Sequence, residues 1–259
     1  MQAKPSLEDT LSLMRDLRAR CEWDAAQTHE SLRPYLIEEA YEVDDAIRSG
    51  DDLKLREELG DLLLQILFHS VLAEERQAFT MYDVADAFIA KMKARHPHLF
   101  GGGDKQPWEQ MKAKRRDSIV DGLPADLPAL HRAFRLQDRA AGVGFDWPDV
   151  EGPIAKVEEE LDEVRAELAV SSPAKHGTPP TYDDQHARLE GELGDLLFAV
   201  VNLCRKASVH PALALDKANI KFAARFGAVE RLAAERGLTV GKASLVELDA
   251  LWDEIKKLE

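Results

Sequence analysis

Apolar residues recur every three or four positions along most of this chain, and charged side chains fill the intervals. That period marks amphipathic helices, each with one stripe to bury. Leu7, Leu11, Met14 and Leu17 form the first stripe, and Ser6 precedes it as a cap. A loop is expected through Cys21, Glu22, Trp23 and Asp24. Thr28 then caps a short helix that Pro34 should interrupt. Two longer helices follow, Leu36 to Ile47 and Leu53 to Glu75, joined by the turn Ser49-Gly50-Asp51-Asp52. Thr80 to Arg95 makes another, stopped by His96-Pro97 and the glycines Gly101, Gly102 and Gly103.

The second half continues in the same way. Trp108 to Ile119 has helical character, and Asp121 to Pro128 joins the halves. Pro128 also suits the first turn of a helix running from Ala129 to Ala141. After a loop from Gly142 to Pro148, helices are expected over Ile154 to Ala169, Arg188 to Lys206, Ala212 to Arg236 and Leu245 to Lys257. Ser171 to Thr181 holds Pro173, Gly177, Pro179 and Pro180, which makes it a mobile insertion. No segment shows the two-residue alternation of a strand, so the class is all-α.

The halves repeat one another. Glu38-Glu39-x-x-Glu42 precedes Glu58-x-x-Asp61, and Glu159-Glu160-x-x-Glu163 precedes Glu192-x-x-Asp195. Lys91 and Arg95 recur as Lys221 and Arg225 on a later helix. Duplication of one helical unit accounts for this, with units at 1–120 and 131–259 and a linker at 121–130. A chain of 259 residues, 45% of them hydrophobic, has material for two cores.

Composition narrows the partners. A net charge of −14 argues against a nucleic-acid backbone or an anionic membrane as the main partner. Two distant cysteines, Cys21 and Cys204, give no disulfide framework and suit a reducing cytoplasm. The amino-terminal residues lack the apolar core of a signal peptide. The most apolar run, Leu62 to Ala73, is too short to cross a bilayer. A soluble cytoplasmic protein is expected.

Positions three or four apart share a helix face. Glu39 and Glu42 therefore lie together, as do Glu58 and Asp61 on the next helix, and short connections bring antiparallel helices side by side. Glu160, Glu163, Glu192 and Asp195 repeat the arrangement, the Pro/Gly insertion only lengthening the loop between the pairs. Converging carboxylates repel one another, which raises their pKa values or demands a cation. Oxygen donors alone favour Mg2+, or Mn2+, over zinc or copper. Mg2+ is commonly completed by substrate phosphates, which Lys and Arg on a neighbouring helix could grip. The bland alternative is a solvated acidic face. Asp61 and Asp195, each set in Leu-Gly-Asp-Leu-Leu, argue against it, because Asp is costly among leucines.

With these motifs the chain resembles the MazG family of nucleoside triphosphate pyrophosphohydrolases in its two-repeat form. Trp23-Asp24-x-x-Gln27-Thr28, Arg95-His96-Pro97-His98-Leu99-Phe100, Val143-Gly144-Phe145-Asp146-Trp147 and Lys217-Ala218-Asn219 extend the resemblance over nearly the whole chain. Glu22 departs from it, since the family commonly has Pro before that Trp. The resemblance implies two tandem four-helix-bundle-like units, related to dimeric dUTPases and paired as homodimers. It implies Mg2+-dependent conversion of a nucleoside triphosphate and water to the monophosphate and pyrophosphate. Broad base tolerance and a housekeeping role in the nucleotide pool fit it.

Carried onto this chain, the family's pattern gives Glu160, Glu163, Glu192 and Asp195 as metal ligands and Glu159 as the group that orients or deprotonates water. Lys156, Lys221 and Arg225 would contact phosphates, and Trp252 with Lys256 would close over the nucleotide. In the first half Glu39, Glu42, Glu58 and Asp61 would hold metal, with Glu38, Lys91 and Arg95 as a possible second site. Tyr35 stands where Lys156 stands in the second half, and only Trp108 could replace Trp252. The second half is therefore expected to be the main site. A di-iron bundle would need Glu-x-x-His, which is absent from the sequence. A non-catalytic helical metal-binding or interaction protein is the alternative.

Overall fold

The computed structural model describes residues 5–102, 117–170 and 184–258. Among them the regular elements are all helices, and the class is all-α. The chain divides into two compact units, Met1–Lys105 and Gln106–Glu259.

The first unit holds α1 (Leu7–Arg20), α2 (Glu22–Ala26), α3 (His29–Ser49), α4 (Asp52–Glu75), α5 (Met81–Arg95) and α6 (Pro97–Phe100). Reciprocal capping fixes three starts: Ser6 with Asp9, Thr28 with Ser31, and Thr80 with Asp83. Gly50, at φ 69°, ends α3 in a left-handed turn, and Asp51 then accepts from the amides of Leu53 and Lys54 to begin α4. The tight turn lays α3 along α4. Leu11 and Met14 from α1, Leu32 from α3, and Leu67, Phe68, Val71 and Leu72 from α4 form the core. Arg15 and Arg18 tie α1 to the end of α4 through Glu74 at 3.0 Å and Glu75 at 2.5 Å.

Two expectations are corrected here. The segment around Trp23 is the short helix α2 rather than a loop. Arg18 donates to the carbonyls of Asp24 and Gln27, satisfying groups at the end of α2 that a five-residue helix leaves open. Pro34 does not interrupt α3, which runs through it. Its missing N–H costs one bond on an exposed face, while Leu32 and Ala46 anchor the helix on either side.

The second unit holds α7 (Ala129–Gly142), α8 (Glu151–Val170), α9 (Asp184–Lys206), α10 (Pro211–Glu235) and α11 (Leu245–Lys257). Of the helix expected from Trp108, residues 108–116 lie outside the described residues, and residues 117–119 form bends and a turn. The insertion from Ser171 to Thr181 also lies outside them. Buried Arg139 of α7 donates to the carbonyls of Ile119 at 2.7 Å and Asp121 at 2.9 Å, drawing the preceding segment onto that helix. Helix α8 packs along α9, α7 packs against α9, and α10 pairs chiefly with α11. Val229, Ala233 and Leu251 are the buried centre of that last pair. Among the described residues no helix is long and apolar enough to cross a membrane.

Candidate functional site

The acids of the second unit sit where α8 lies against α9. Their i, i+3 spacing turns Glu160 and Glu163 to one face of α8, and Glu192 meets them from α9. Carboxylate oxygens of Glu160, Glu163 and Glu192 fall within 4.8 Å of one another. Glu160 is only 5% exposed, so its charge depends on what surrounds it. Lys156 supplies part of that compensation: its Nζ lies 2.5 Å from Glu160 Oε1 and 3.0 Å from Glu159 Oε1. Hydrogen bonds to Glu160 and Glu159 raise the Lys156 pKa above its ordinary value. Burial, then the charges of Glu160 and Glu192, push the Glu163 carboxyl up. Asp195 is outside the 4.8 Å group but shares a cavity wall with Glu160 and Lys156.

The first unit repeats the arrangement with Glu39 of α3 and Glu58 and Asp61 of α4 within 4.8 Å. Glu42, one turn further along α3, adds its charge to the cluster. Glu39 Oε2 is buried and has no hydrogen-bond partner. Burial comes first among the causes that raise its pKa, followed by the charges of Asp61 and Glu42. An orphaned carboxylate oxygen inside an all-oxygen cluster fits a hard divalent cation. Both clusters could hold one.

A cavity of about 460 Å3 opens beside the acids of the second unit. Gln137 of α7, the loop residues Phe145 and Trp147, Lys156 and Glu160 of α8, and Asp195, Asn202 and Arg205 of α9 are among its walls. The loop is pinned to α9. Asp146 pairs with Arg205 and, at 3.3 Å, with Lys206, whose Nζ also donates to the carbonyl of Trp147 at 2.6 Å. Gly152 permits the last contact of the loop, because a Cβ there would overlap the Trp147 ring. Gln137, Asn202 and Arg205 were not singled out from the sequence. The available signal was Gln137 standing among the apolar positions of its helix.

Other expected residues lie elsewhere in the second unit. Trp252 packs 5.4 Å from Phe222, and the Arg225 guanidinium lies 5.8 Å over its ring. The ring joins the cluster of Val229, Ala233 and Leu251. Lys221 and Lys256 are exposed on α10 and α11. None of these four lines the cavity beside the acids. In the first unit Glu38 and Lys91 are exposed, Arg95 ends α5, and Tyr35 packs edge-on to Trp23 at 6.4 Å. Trp108 lies outside the described residues.

Known proteins resemble this chain over nearly its whole length. The family model described as the MazG nucleotide pyrophosphohydrolase domain matches residues 27–100, within the first unit. The chain is 43% identical over 258 residues to the nucleoside triphosphate pyrophosphohydrolase/pyrophosphatase MazG of Thermotoga maritima, covering 96% of this chain and 95% of that one. It is 41% identical over 258 residues to the nucleoside triphosphate pyrophosphohydrolase of Escherichia coli K12, covering 95% and 94%.

Proposed function

The chain belongs to the MazG family and is a nucleoside triphosphate pyrophosphohydrolase, a hydrolase of phosphoanhydride bonds, and from that premise we propose that the second unit holds its main catalytic site. The observation that carries the proposal is the adjacency of the Glu160, Glu163 and Glu192 cluster to the cavity walled by Phe145 and Trp147. An apolar, aromatic recess suits a nucleobase, and the acids beside it suit the phosphates with their cation.

Glu160, Glu163, Glu192 and Asp195 would hold Mg2+, with Mn2+ as a substitute. Bound there, the cation would offset charge on the triphosphate and on the departing pyrophosphate. Lys156 is placed to meet a phosphate oxygen at the cavity wall, and Lys221 and Arg225 are further phosphate-binding candidates. Glu159 is exposed on the same turn as Glu160 and suited to take the proton from the attacking water. Attack at the α-phosphorus breaks its bond to the bridging oxygen, and pyrophosphate leaves with that oxygen. Trp252 and Lys256 remain candidates for closing over bound nucleotide. Trp252 packs against Phe222 of α10, away from the cavity, so that role would need another conformation or another copy of the chain.

A homodimer is supported by what each unit leaves uncovered. Leu193, Leu197 and Phe198 of α9, and Leu36, Ile37 and Tyr41 of α3, are exposed. Gly60 and Gly194 sit inside helices, and among the described residues nothing approaches the place a Cβ would take. Close packing by a second copy would give those glycines a purpose. Nucleoside triphosphates are then the ligands, with no role for nucleic acid or membrane, in a cytoplasmic housekeeping enzyme of broad base tolerance. The acids of the first unit, Glu39, Glu42, Glu58 and Asp61, would bind metal. Glu38, Lys91 and Arg95 are a weaker set for nucleotide.

Glu163→Gln and Asp195→Asn should each abolish pyrophosphate release from ATP and Mg2+ while the helical circular dichroism signal stays unchanged. Full activity in either variant, or orthophosphate as the direct product, would overturn the assignment.

A further inference from the structure

Lys156 stands four residues before Glu160, and Tyr35 stands four before Glu39. The two helices thus carry the same acids in the same register, with a cation one turn ahead in one unit and a phenol in the other. The consequence is visible in the geometry. In the second unit, Lys156 Nζ sits 2.5 Å from the buried carboxylate of Glu160 and bridges to Glu159 at 3.0 Å. In the first unit, Glu39 keeps a buried oxygen without a partner. Lys54 faces Glu42 and Glu58 there, but it is held by Asp45 at 2.6 Å.

Given the cation sites proposed above, we infer that Lys156 is a built-in counter-ion that stands in for the metal in the nucleotide-free second unit and leaves Glu160 only when a triphosphate draws it away. An ammonium and a divalent cation cannot both sit at hydrogen-bond distance from one carboxylate oxygen without repulsion. Metal entering alone must displace Lys156 from Glu160 and leave it only the exposed carboxylate of Glu159. When the triphosphate arrives as well, Lys156 gains phosphate oxygens in exchange, and Glu160 becomes free for the cation. Metal and nucleotide therefore bind the second unit cooperatively, each raising the affinity of the other. The first unit has no such gate and takes its cation unaided. The second site is thereby kept from binding free metal tightly when there is no substrate to hydrolyse.

Mn2+ titrated into the full chain and followed by electron paramagnetic resonance tests this. α,β-Methylene-ATP, in which the α–β bridge resists hydrolysis, serves as the nucleotide. Without it, wild type should bind one Mn2+ strongly, a signal that Glu58→Gln removes. With it, a second Mn2+ should appear, and Glu192→Gln should remove that one. Lys156→Met should bind the second Mn2+ about tenfold more tightly without nucleotide and lose most of the cooperativity, the scale of one partly buried ion pair. Tyr35→Lys should weaken the first site by a similar factor. If Lys156→Met leaves nucleotide-free Mn2+ affinity unchanged or lowers it, while the analogue still recruits Mn2+ to wild type, the counter-ion role is overturned and the metal sites stand. If Mn2+ binds neither cluster with or without the analogue, the metal sites themselves fall.

Discussion

Gln137 donates from Nε2 to the main-chain carbonyl of Phe198 at 2.7 Å, and its Oε1 is left buried without a partner. Helices α7 and α9 are thus joined by an amide that uses only one of its two polar groups in a cavity wall. The Phe198 carbonyl lies within α9, so the side-chain bond is an addition to the helical ladder. An unused acceptor of this kind matches any of the common bases, each of which carries an N–H on its pairing edge. Broad base tolerance would follow from one acceptor rather than several.

Replacing Gln137 with Met separates this role from a structural one. Losing one neutral hydrogen bond and one unsatisfied buried oxygen are opposing effects, each of order 1 kcal/mol, so thermal stability should change by less than about 1 kcal/mol. Loss of the acceptor should lower kcat/KM by about tenfold for ATP, GTP, CTP and UTP alike. A large loss of stability with unchanged kinetics would make Gln137 a helix tie only.

Gly152→Ala tests the placement of Trp147. The added methyl group overlaps the indole ring, and the ring is easier to displace than the α8 backbone. Base–aromatic stacking is worth ~1–3 kcal/mol, so moving the ring should raise KM for ATP by about tenfold and leave kcat nearly unchanged. Quenching of Trp147 fluorescence by acrylamide should increase at the same time.

How much of this was legible in the sequence depends on whether the contacts are local. Leu245–Lys257 has the expected bounds because its Ser244/Glu247 box and its apolar period both lie within the segment. Helix α8 begins at Glu151, earlier than expected, because Pro153 falls in its first turn, where no intrahelical N–H is needed. The carboxylate pairs were visible because helical spacing alone aligns them. The cavity was not, since Gln137, Trp147 and Arg205 come from α7, a loop and α9 and share no sequence period. Nor could spacing reveal that Trp252 packs into the α10–α11 core, since the same residue type suits a core and a stacking platform.

Metal should stabilise the nucleotide-free fold chiefly through the acid cluster of the first unit. A cation at a hundred times its dissociation constant adds about 2.7 kcal/mol at a single site. Mg2+ should therefore raise the melting temperature of the nucleotide-free protein, and EDTA should reverse the change. Because Lys156 already compensates Glu160, most of this gain should vanish in Glu58→Gln and persist in Glu192→Gln. Equal losses in the two variants would mean that free metal populates both units alike.

The clamp on the Phe145–Trp147 loop predicts a dependence on pH. Burial alone would raise the Asp146 carboxyl, but hydrogen bonds and charge from Arg205 and Lys206 outweigh it and hold the group below its ordinary value. The folded pKa is thus below the unfolded value of about 3.9. Stability from Asp146 is therefore complete above that unfolded value and is lost as pH falls through the folded one, because the proton then binds the unfolded chain more readily. Asp146→Asn removes this contribution at neutral pH but loses nothing further in acid. Wild type should accordingly be the more stable protein from pH 5 to 7, judged by urea midpoints, and the two curves should converge as the pH is taken well below 4. The variant should also show a higher KM for ATP at pH 7, since the same ion pairs seat Trp147 in the cavity wall. Curves that stay parallel down to acid would show that Asp146 keeps an ordinary pKa and that the clamp contributes nothing to stability.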